Sequence, residues 1–401
     1  MEGYFRKRGC KCEGKRCTCN ATWSFSIDIG RDPKTGKRKQ KTVSGFKTKK
    51  EAQLAAAKIQ QDLAQGTYIT EKSIMFKDFV KDWIKLYQTS VKVSTVRVRM
   101  HESGKLMEYF EGYQVKQINK KMYQDVLINL HEKGLALNTI AGIHTTGKMI
   151  FAKAVELEVI KNNPTQFAKL PRPQKTVEEI ENEEKGIKYL ERKELVNFLK
   201  TARNKGLDRD YAIFMTLAYS GLRVGELCAL KWRDVSFEDN TISITKTYYN
   251  PKNKATEYQL LTPKTNTSIR TIELDSIVMK ELEKLKMKQK ELKMMYRDTY
   301  YDKDFVFAKT TNDIGYPEFI KTIQNRMKRL LKLASLNESL TPHSLRHTHT
   351  SLLAEAGVGI HEIMERLGHR DDEITKRVYL HVTKTMKKEA SQKFGKLMRN
   401  L

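Results

Sequence analysis

Long apolar runs are missing from the 401 residues: none approaches the ~18–20 residues a membrane helix needs, so no bilayer-spanning helix is expected. The opening stretch MEGYFRKRGCKC has no apolar core and does not read as a secretory signal. A cytosolic location follows, where disulfides are rare. Acidic residues are few: 48 Asp and Glu stand against 75 Lys and Arg, a net charge of +27. That excess calls for a polyanionic partner, and nucleic acid or an anionic membrane surface would each satisfy it. Internal repeats and low-complexity tracts are absent. Aliphatic and aromatic residues suffice for real cores, so the chain is not a disordered polycation. Its length exceeds one compact core and suggests two or three domains.

Cysteine is scarce too. Of the five, Cys10, Cys12, Cys17 and Cys19 form one C-x-C-x4-C-x-C cluster. In a reducing compartment this reads as a metal site before it reads as disulfides, and four thiolates would make any zinc structural. C-x-C pairs are less usual zinc knuckles than C-x2-C. Cys228, in GELCALKW, reads as a buried thiol without a role.

The first 50 residues carry 15 Lys/Arg against 4 Asp/Glu. Within them TWSFSIDIG alternates, with Trp23, Phe25, Ile27 and Ile29 on one face and Thr22, Ser24, Ser26 and Asp28 on the other. DPKTGK is a turn and KRKQKTVSGF a basic returning strand. Thr48 with Glu51 forms a capping box for a helix running to about Gln65. The expected unit, residues 1–66, is a small three-stranded sheet backed by one helix. Its open polar face, with Arg31, Lys37, Arg38, Lys39 and Lys41, suits a DNA groove, although a solvated basic surface would look the same.

After a short connection (67–73), residues 74–170 show four amphipathic segments near 75–89, 94–111, 119–133 and 138–161, an all-α unit. Arg97, Arg99 and Lys148 are its candidate phosphate contacts. Residues 171–187 are Pro-containing, then acidic, and read as a linker. From 188 to 383 the pattern is mixed and mainly helical. Strands are expected at NTISITKTYY, YQLLTPKTNTSIRTIEL and DKDFVFAK, and helices near 318–336, 342–356 and 359–367. In the tail, 384–401, Met386, Ala390, Phe394 and Leu397 form one apolar stripe.

Several residues could do chemistry. Arg223 follows a Ser-Gly turn, and Glu226 lies three residues on, where its carboxylate can hold the guanidinium. In TPHSLRHTHT, Thr341 and Pro342 start a helix whose first turn carries His343 and Arg346. A helix end, an imidazole and a guanidinium together suit a phosphate. His343 and His347 lack the Glu of H-E-x-x-H, which argues against zinc hydrolysis. Lys264 sits in a tight turn between two strands. Gly368 should end a helix and present His369, and Tyr379 follows ten residues later, with Asp371 or Asp372 as cap and Ile374 and Val378 as buried anchors. His381 has no assigned part.

In order, Arg223 in SGLRVGEL, Lys264 in TPKTNTSIR, His343 and Arg346 in HSLRHT, His369 in LGH and Tyr379 in VYLHV resemble the tyrosine recombinase family, of the phage or integrative-element integrase type. The resemblance covers 188–385 strongly, the helical (SAM-like) core-binding domain more loosely, and an arm-binding domain over 1–66, from whose usual form the cysteine cluster departs. It implies a multidomain α+β protein whose catalytic domain is mainly α with a small antiparallel sheet. Tyr379 would be the nucleophile, Arg223 and Arg346 the phosphate clamp, Lys264 the acid for the 5′ oxygen, His343 the general base and His369 a phosphate ligand, with Glu226 in support. Strand exchange would pass through a 3′-phosphotyrosyl link and a Holliday junction, in a homotetramer on double-stranded core and arm-type sites in the bacterial nucleoid. Neither ATP nor a catalytic metal would take part. Excision or bending proteins could assist, and the tail could dock in cis or on a neighbouring subunit. The competing readings are a type IB topoisomerase-like relaxing enzyme and a non-catalytic DNA-binding regulator.

Overall fold

The computed structural model describes residues 4–10, 12, 19–31, 35–65, 68, 73–172, 189–263, 266–368, 373, 375–380, 382, 398 and 399. The chain forms two compact units, Met1–Thr176 and Val177–Leu401.

The first unit holds two separate cores. Strands β1 (Tyr4–Lys7), β2 (Trp23–Arg31) and β3 (Arg38–Phe46) pair antiparallel in chain order. The alternation of β2 turns Phe25 and Ile27 onto helix α1 (Lys49–Ala64), which meets them with Ala52 and Ala56. The capping box forms: Thr48 Oγ1 accepts the Glu51 N–H at 3.2 Å, and Glu51 Oε2 accepts the Thr48 N–H at 3.4 Å. The second core is all-α. Helices α2 (Phe76–Tyr87), α3 (Val93–Phe110), α4 (Lys120–Glu132) and α5 (Leu137–Glu156) pack around Phe76, whose ring lies 5.6 Å from both Phe110 and Phe151. Helix α5 stops five residues short of the expected 161. Glu158 turns to φ 54°, the Val159 N–H returns to the Ala154 carbonyl, and Val159 and Ile160 are buried by this reversal. The apolar pattern therefore outlasts the helix.

In the second unit, helix α7 (Asp210–Ser220) is enclosed by its neighbours, buried from Ala212 to Ala218. Around it lie α6 (Arg192–Lys205), α8 (Val224–Ala229), α9 (Ser276–Met295), α10 (Ile320–Leu333), α11 (Pro342–Glu355) and α12 (Ile360–Leu367). A sheet of β4 (Val235–Ser236), β5 (Thr241–Ile244) and β8 (Arg270–Glu273) and a hairpin of β6 (Thr247–Tyr249) and β7 (Gln259–Leu261) complete it. No helix among the described residues is long and apolar enough to cross a membrane.

Three expectations change. DKDFVFAK is no regular strand: it makes single bridges, Lys231 to Phe305 and Ala308 to Pro317, because Phe305–Ala308 is buried on all sides and holds to loops rather than to a ladder. The strands flanking Lys264 do not pair with each other, since β7 pairs β6 while β8 pairs β5, so that segment joins two sheets instead of tipping one hairpin. Helix α9 was not expected. Its signal was present in Asp275, which caps the Ile277 N–H at 2.9 Å, and in the buried series Val278, Met279, Leu282 and Leu285. Lys264, Cys17, residues 173–188 with all but the first two positions of the expected linker 171–187, His369, Asp371, Asp372, Ile374, His381 and the tail stripe at 386–397 lie outside the described residues.

Gly147 on α5 faces the buried Tyr123 of α4, and a Cβ there would stand 2.2 Å from the Tyr123 hydroxyl. Gly147→Ala should gain about 1 kcal/mol of helix propensity but lose about 1–3 kcal/mol to overpacking. The expected net result is a lower urea midpoint for the helical core, restored when Tyr123→Phe removes the obstructing oxygen. An unchanged midpoint in the single variant would sink this account.

Candidate active site

Arg223 owes its position to the end of α7. Gly221 adopts φ +64°, and a Cβ there would meet His349 and Leu367 side chains at 2.7 Å, so the sharp exit requires glycine. Two residues later Arg223 caps α8. Glu226 accepts the Arg223 backbone N–H at 3.0 Å and its Nη1 at 2.9 Å. The carboxylate side chain is only 4 % exposed and the Arg223 side chain 37 %, so a buried base holds a cation whose head stays accessible. A second guanidinium, from Arg270, donates to Glu226 at 3.0 Å. Burial by itself would raise the Glu226 carboxyl, but Arg270 and then Arg223 outweigh it and hold it below the usual carboxylate range.

Arg346 lies on the second turn of α11. Its side chain is among the largest in the protein to be fully buried, at 1 % exposure. Nη1 donates to the Gly221 carbonyl and Nη2 to the Leu367 carbonyl, each at 2.6 Å. Both acceptors are at helix C-termini, where partial negative charge favours a cation. One side chain thus ties the turn before Arg223 to the turn before His369. Gly368 ends α12 in the left-handed region at φ +69°, packed on the Ser268 Cα and the Thr267 carbonyl, as a glycine stop requires. His343 is exposed on the first turn of α11, its ring 4.7 Å from that of His347. The Ser344 hydroxyl accepts the Thr341 N–H at 3.2 Å. Tyr379, in a helical stretch at 375–380, is half-buried and packs on the cluster of Ala354, Ile363, Leu367 and Val382, while Val378 is buried.

The structure thus brings Arg223, Glu226 and Arg346 together at the ends of α7 and α12, with His343 on the first turn of the helix that carries Arg346 and Tyr379 packed on the cluster that contains Leu367. Sequence reasoning passes over three residues here. Arg270 and Arg366 carried only the signal of cations beside the Lys264 and LGH motifs. His349 is buried, with its Nδ1 2.9 Å from the Ala218 carbonyl and its Nε2 accepting from Arg366 Nε at 3.1 Å. An arginine can only donate, so Nε2 is the bare nitrogen and Nδ1 carries the proton. Burial first, then Arg366, pushes this imidazole down to about 3.

In the first unit, Arg31, Lys37, Lys39, Arg97 and Lys148 are exposed. Arg38 pairs with Asp28 at 2.5 Å, and Lys41 lies over the Tyr68 ring at 5.3 Å. Arg99 is turned inward, its Nη1 2.7 Å from Glu102 and 3.0 Å from the Thr146 hydroxyl, so it braces α3 against α5. The sulfur atoms of Cys10, Cys12 and Cys19 all lie within 4.8 Å of one another. Cys228 is buried in the second unit, which raises its thiol, consistent with an inert role.

Comparison with known proteins locates this arrangement. The fold is that of DNA-bound integrases. The Tn1549 transposon integrase in complex with a circular-intermediate DNA superimposes with a TM-score of 0.61 at 21 % identity, over 77 % of this chain and 95 % of that one. A lambda integrase tetramer bound to a Holliday junction gives 0.53 at 16 %, over 89 % and 92 %. Residues 188–386 match the phage integrase family, 14–63 an arm DNA-binding domain and 75–170 a phage integrase SAM-like domain. The integrase of Staphylococcus phage L54a is 29 % identical over 361 residues, 85 % of this chain and 98 % of the relative. The chain belongs to the phage integrase family, the tyrosine recombinases that carry an arm-binding N-terminal domain. It is an enzyme of DNA strand cleavage and rejoining.

His349 sets a pH dependence. Its folded value, about 3, lies below the unfolded 6.5, so its contribution to stability is complete above pH 6.5 and declines as pH falls toward 3. Between pH 7 and 5 the loss is about 2 kcal/mol. His349→Gln can keep both hydrogen bonds without titrating. Urea midpoints at the two pH values should fall further apart in the wild type than in this variant, and equal falls would refute the assignment.

Proposed function

We propose that the protein is a site-specific integrase that moves a DNA element into and out of a bacterial chromosome through a 3′-phosphotyrosyl intermediate and a Holliday junction. One observation carries the reading: Arg346 joins the Gly221 carbonyl, two residues before Arg223, to the Leu367 carbonyl, two residues before His369, and in this reading that buried cation organises the phosphate site.

A phenol with a pKa of roughly 10 is a weak nucleophile, and a phosphodiester repels it. Fixed cations around the phosphate ease both problems. In this reading Arg223 and Arg346 meet the non-bridging oxygens, with His369 as a further donor. The Tyr379 oxygen attacks phosphorus while its proton passes to His343. The bond to the 5′ oxygen breaks, and Lys264 protonates the leaving oxygen. The phosphoester is conserved in the phosphotyrosine, so a partner 5′ hydroxyl reverses the step on another duplex without ATP. Two such exchanges need four protomers on two duplexes. The exposed β3 cations would hold arm-type sites, and Arg97 and Lys148 core DNA.

The cysteine cluster fits a structural zinc. Thiolates on zinc lie about 2.3 Å from the metal, which places them about 3.8 Å apart, inside the 4.8 Å within which the Cys10, Cys12 and Cys19 sulfurs lie of one another. Cys17 is the remaining thiol of that segment. Among the described residues, the apolar core of the sheet unit consists of Phe25, Ile27, Ala52 and Ala56, and small cores usually need such a staple. The metal would fix the connection from β1 to β2 and supply no chemistry.

Two experiments test these readings. A suicide duplex bearing the attachment site should give a covalent protein–DNA adduct and recombinant product with the wild type, and neither with Tyr379→Phe, which should still bind DNA. Relaxation of supercoiled DNA without recombinant product would indicate a topoisomerase instead, and binding alone a regulator. For the metal, Co²⁺ added to the chelated full-length protein should produce thiolate charge-transfer absorption at one equivalent, lost in Cys12→Ser. No such absorption means no thiolate site.

A further inference from the structure

Arg270 opens β8 and is 94 % shielded from solvent, its side chain only 6 % exposed. It belongs to neither the phosphate clamp nor the nucleophile, yet it touches the supports of both. On one side Nη2 donates to Glu226 Oε2 at 3.0 Å, and Glu226 in turn holds the backbone and head of Arg223. On the other, Nε donates to the carbonyl of Arg366 at 2.8 Å, in the last turn of α12. Nη1 donates to the Ser268 carbonyl at 3.1 Å and lies 3.1 Å from where a Gly368 Cβ would be. A planar fork with donors on three edges can make all these contacts at once, whereas an ammonium cannot.

We infer that Arg270 is a positioning residue for DNA cleavage, setting together the pose of Arg223 through Glu226 and the turn leading from α12 toward Tyr379 through the Arg366 carbonyl. The inference rests on the recombinase reading given above. Without Arg270, the buried Glu226 carboxylate keeps one cationic partner among the described residues, the half-exposed Arg223, and its grip must change. The α12 terminus keeps its Arg346 contact but loses the second clamp. DNA affinity, which comes from cations spread over a wide surface, is not expected to depend on this contact.

The test separates positioning from general damage by the charge of the phosphate. Full-length wild type, Arg270→Gln, Arg270→Lys, Glu226→Gln and the double variant Arg270→Gln/Glu226→Gln are compared in single-turnover cleavage of a suicide duplex, alongside DNA affinity and thermal unfolding. Each is then assayed on the same duplex with an uncharged methylphosphonate at the scissile position. Arg223 acts on the charge of that phosphate, so misplacing it should matter less when the charge is gone. Expected is cleavage about 100-fold slower in Arg270→Gln on the phosphodiester, by analogy with loss of one transition-state donor, with affinity within about threefold of wild type. On the methylphosphonate the defect should shrink to about tenfold or less. Arg270→Lys should fall between, and Arg270→Gln/Glu226→Gln should be no slower than the worse single variant, since both act on Arg223 by one route. Wild-type rates in Arg270→Gln, or an equal defect on both substrates, overturn the inference. If Arg270→Gln does not fold, the same two-substrate ratio in Arg270→Lys decides. If the wild type forms no adduct, the recombinase reading fails, and this inference with it.

Discussion

The catalytic unit depends on a guanidinium removed from water. Arg346 is enclosed by protein and bonded to the carbonyls of Gly221 and Leu367, the last groups of two helices that enter the site from different directions. A helix C-terminus leaves carbonyls without intrahelical partners, and burying them unpaired is costly. Arg346 meets that requirement for two helices at once, and so the same contact that satisfies the backbone also fixes the relative places of Arg223 and the segment that leads to Tyr379. Lysine, with a single charged nitrogen, could not span both carbonyls in one plane.

Around this contact the charges form an ordered chain. Glu226 is a buried anion between Arg223 and Arg270, Arg270 reaches α12, and Arg366 on α12 reaches the neutral imidazole of His349 and the carbonyls of Tyr219 and Glu273. Each buried ion has a partner of fixed geometry, which is what makes such groups tolerable inside a protein. The arrangement leaves the Arg223 head accessible while a buried carboxylate holds it, which suits the phosphate-binding part proposed for it.

The first unit follows a different economy of structure. Its helical core is dense in stacked and edge-on aromatic pairs around Phe76 and Tyr123. Its sheet core is small, and alanines on α1 rather than large side chains close it. Most of the cationic candidates in both parts stay on the surface, which suits long-range attraction to a polyanion, whereas Arg99 and Arg38 have carboxylate partners.

Much of this was legible in the chain itself. Alternation in β2, the Thr48–Glu51 box, the four amphipathic helices and the Thr341-Pro342 start are local, because each depends on residues a few positions apart. The order of Arg223, His343, Arg346 and Tyr379, with Gly368 as a helix stop, also stood in the sequence and sufficed for the family. Tertiary structure decided what local pattern could not: that α5 ends at Glu156 though apolar residues continue, that 302–309 makes bridges and no strand, and that β7 and β8 join different sheets. It also decided which cations are exposed and which brace the fold. Arg270 and Arg99 look alike in sequence to any surface arginine, and the motif that singles out Arg346 does not show that it is buried. Only long-range packing brings Gly221, Leu367, Glu226 and Thr146 to them, because a guanidinium's role is set by the acceptors that surround it, and those come from segments tens to more than a hundred residues away.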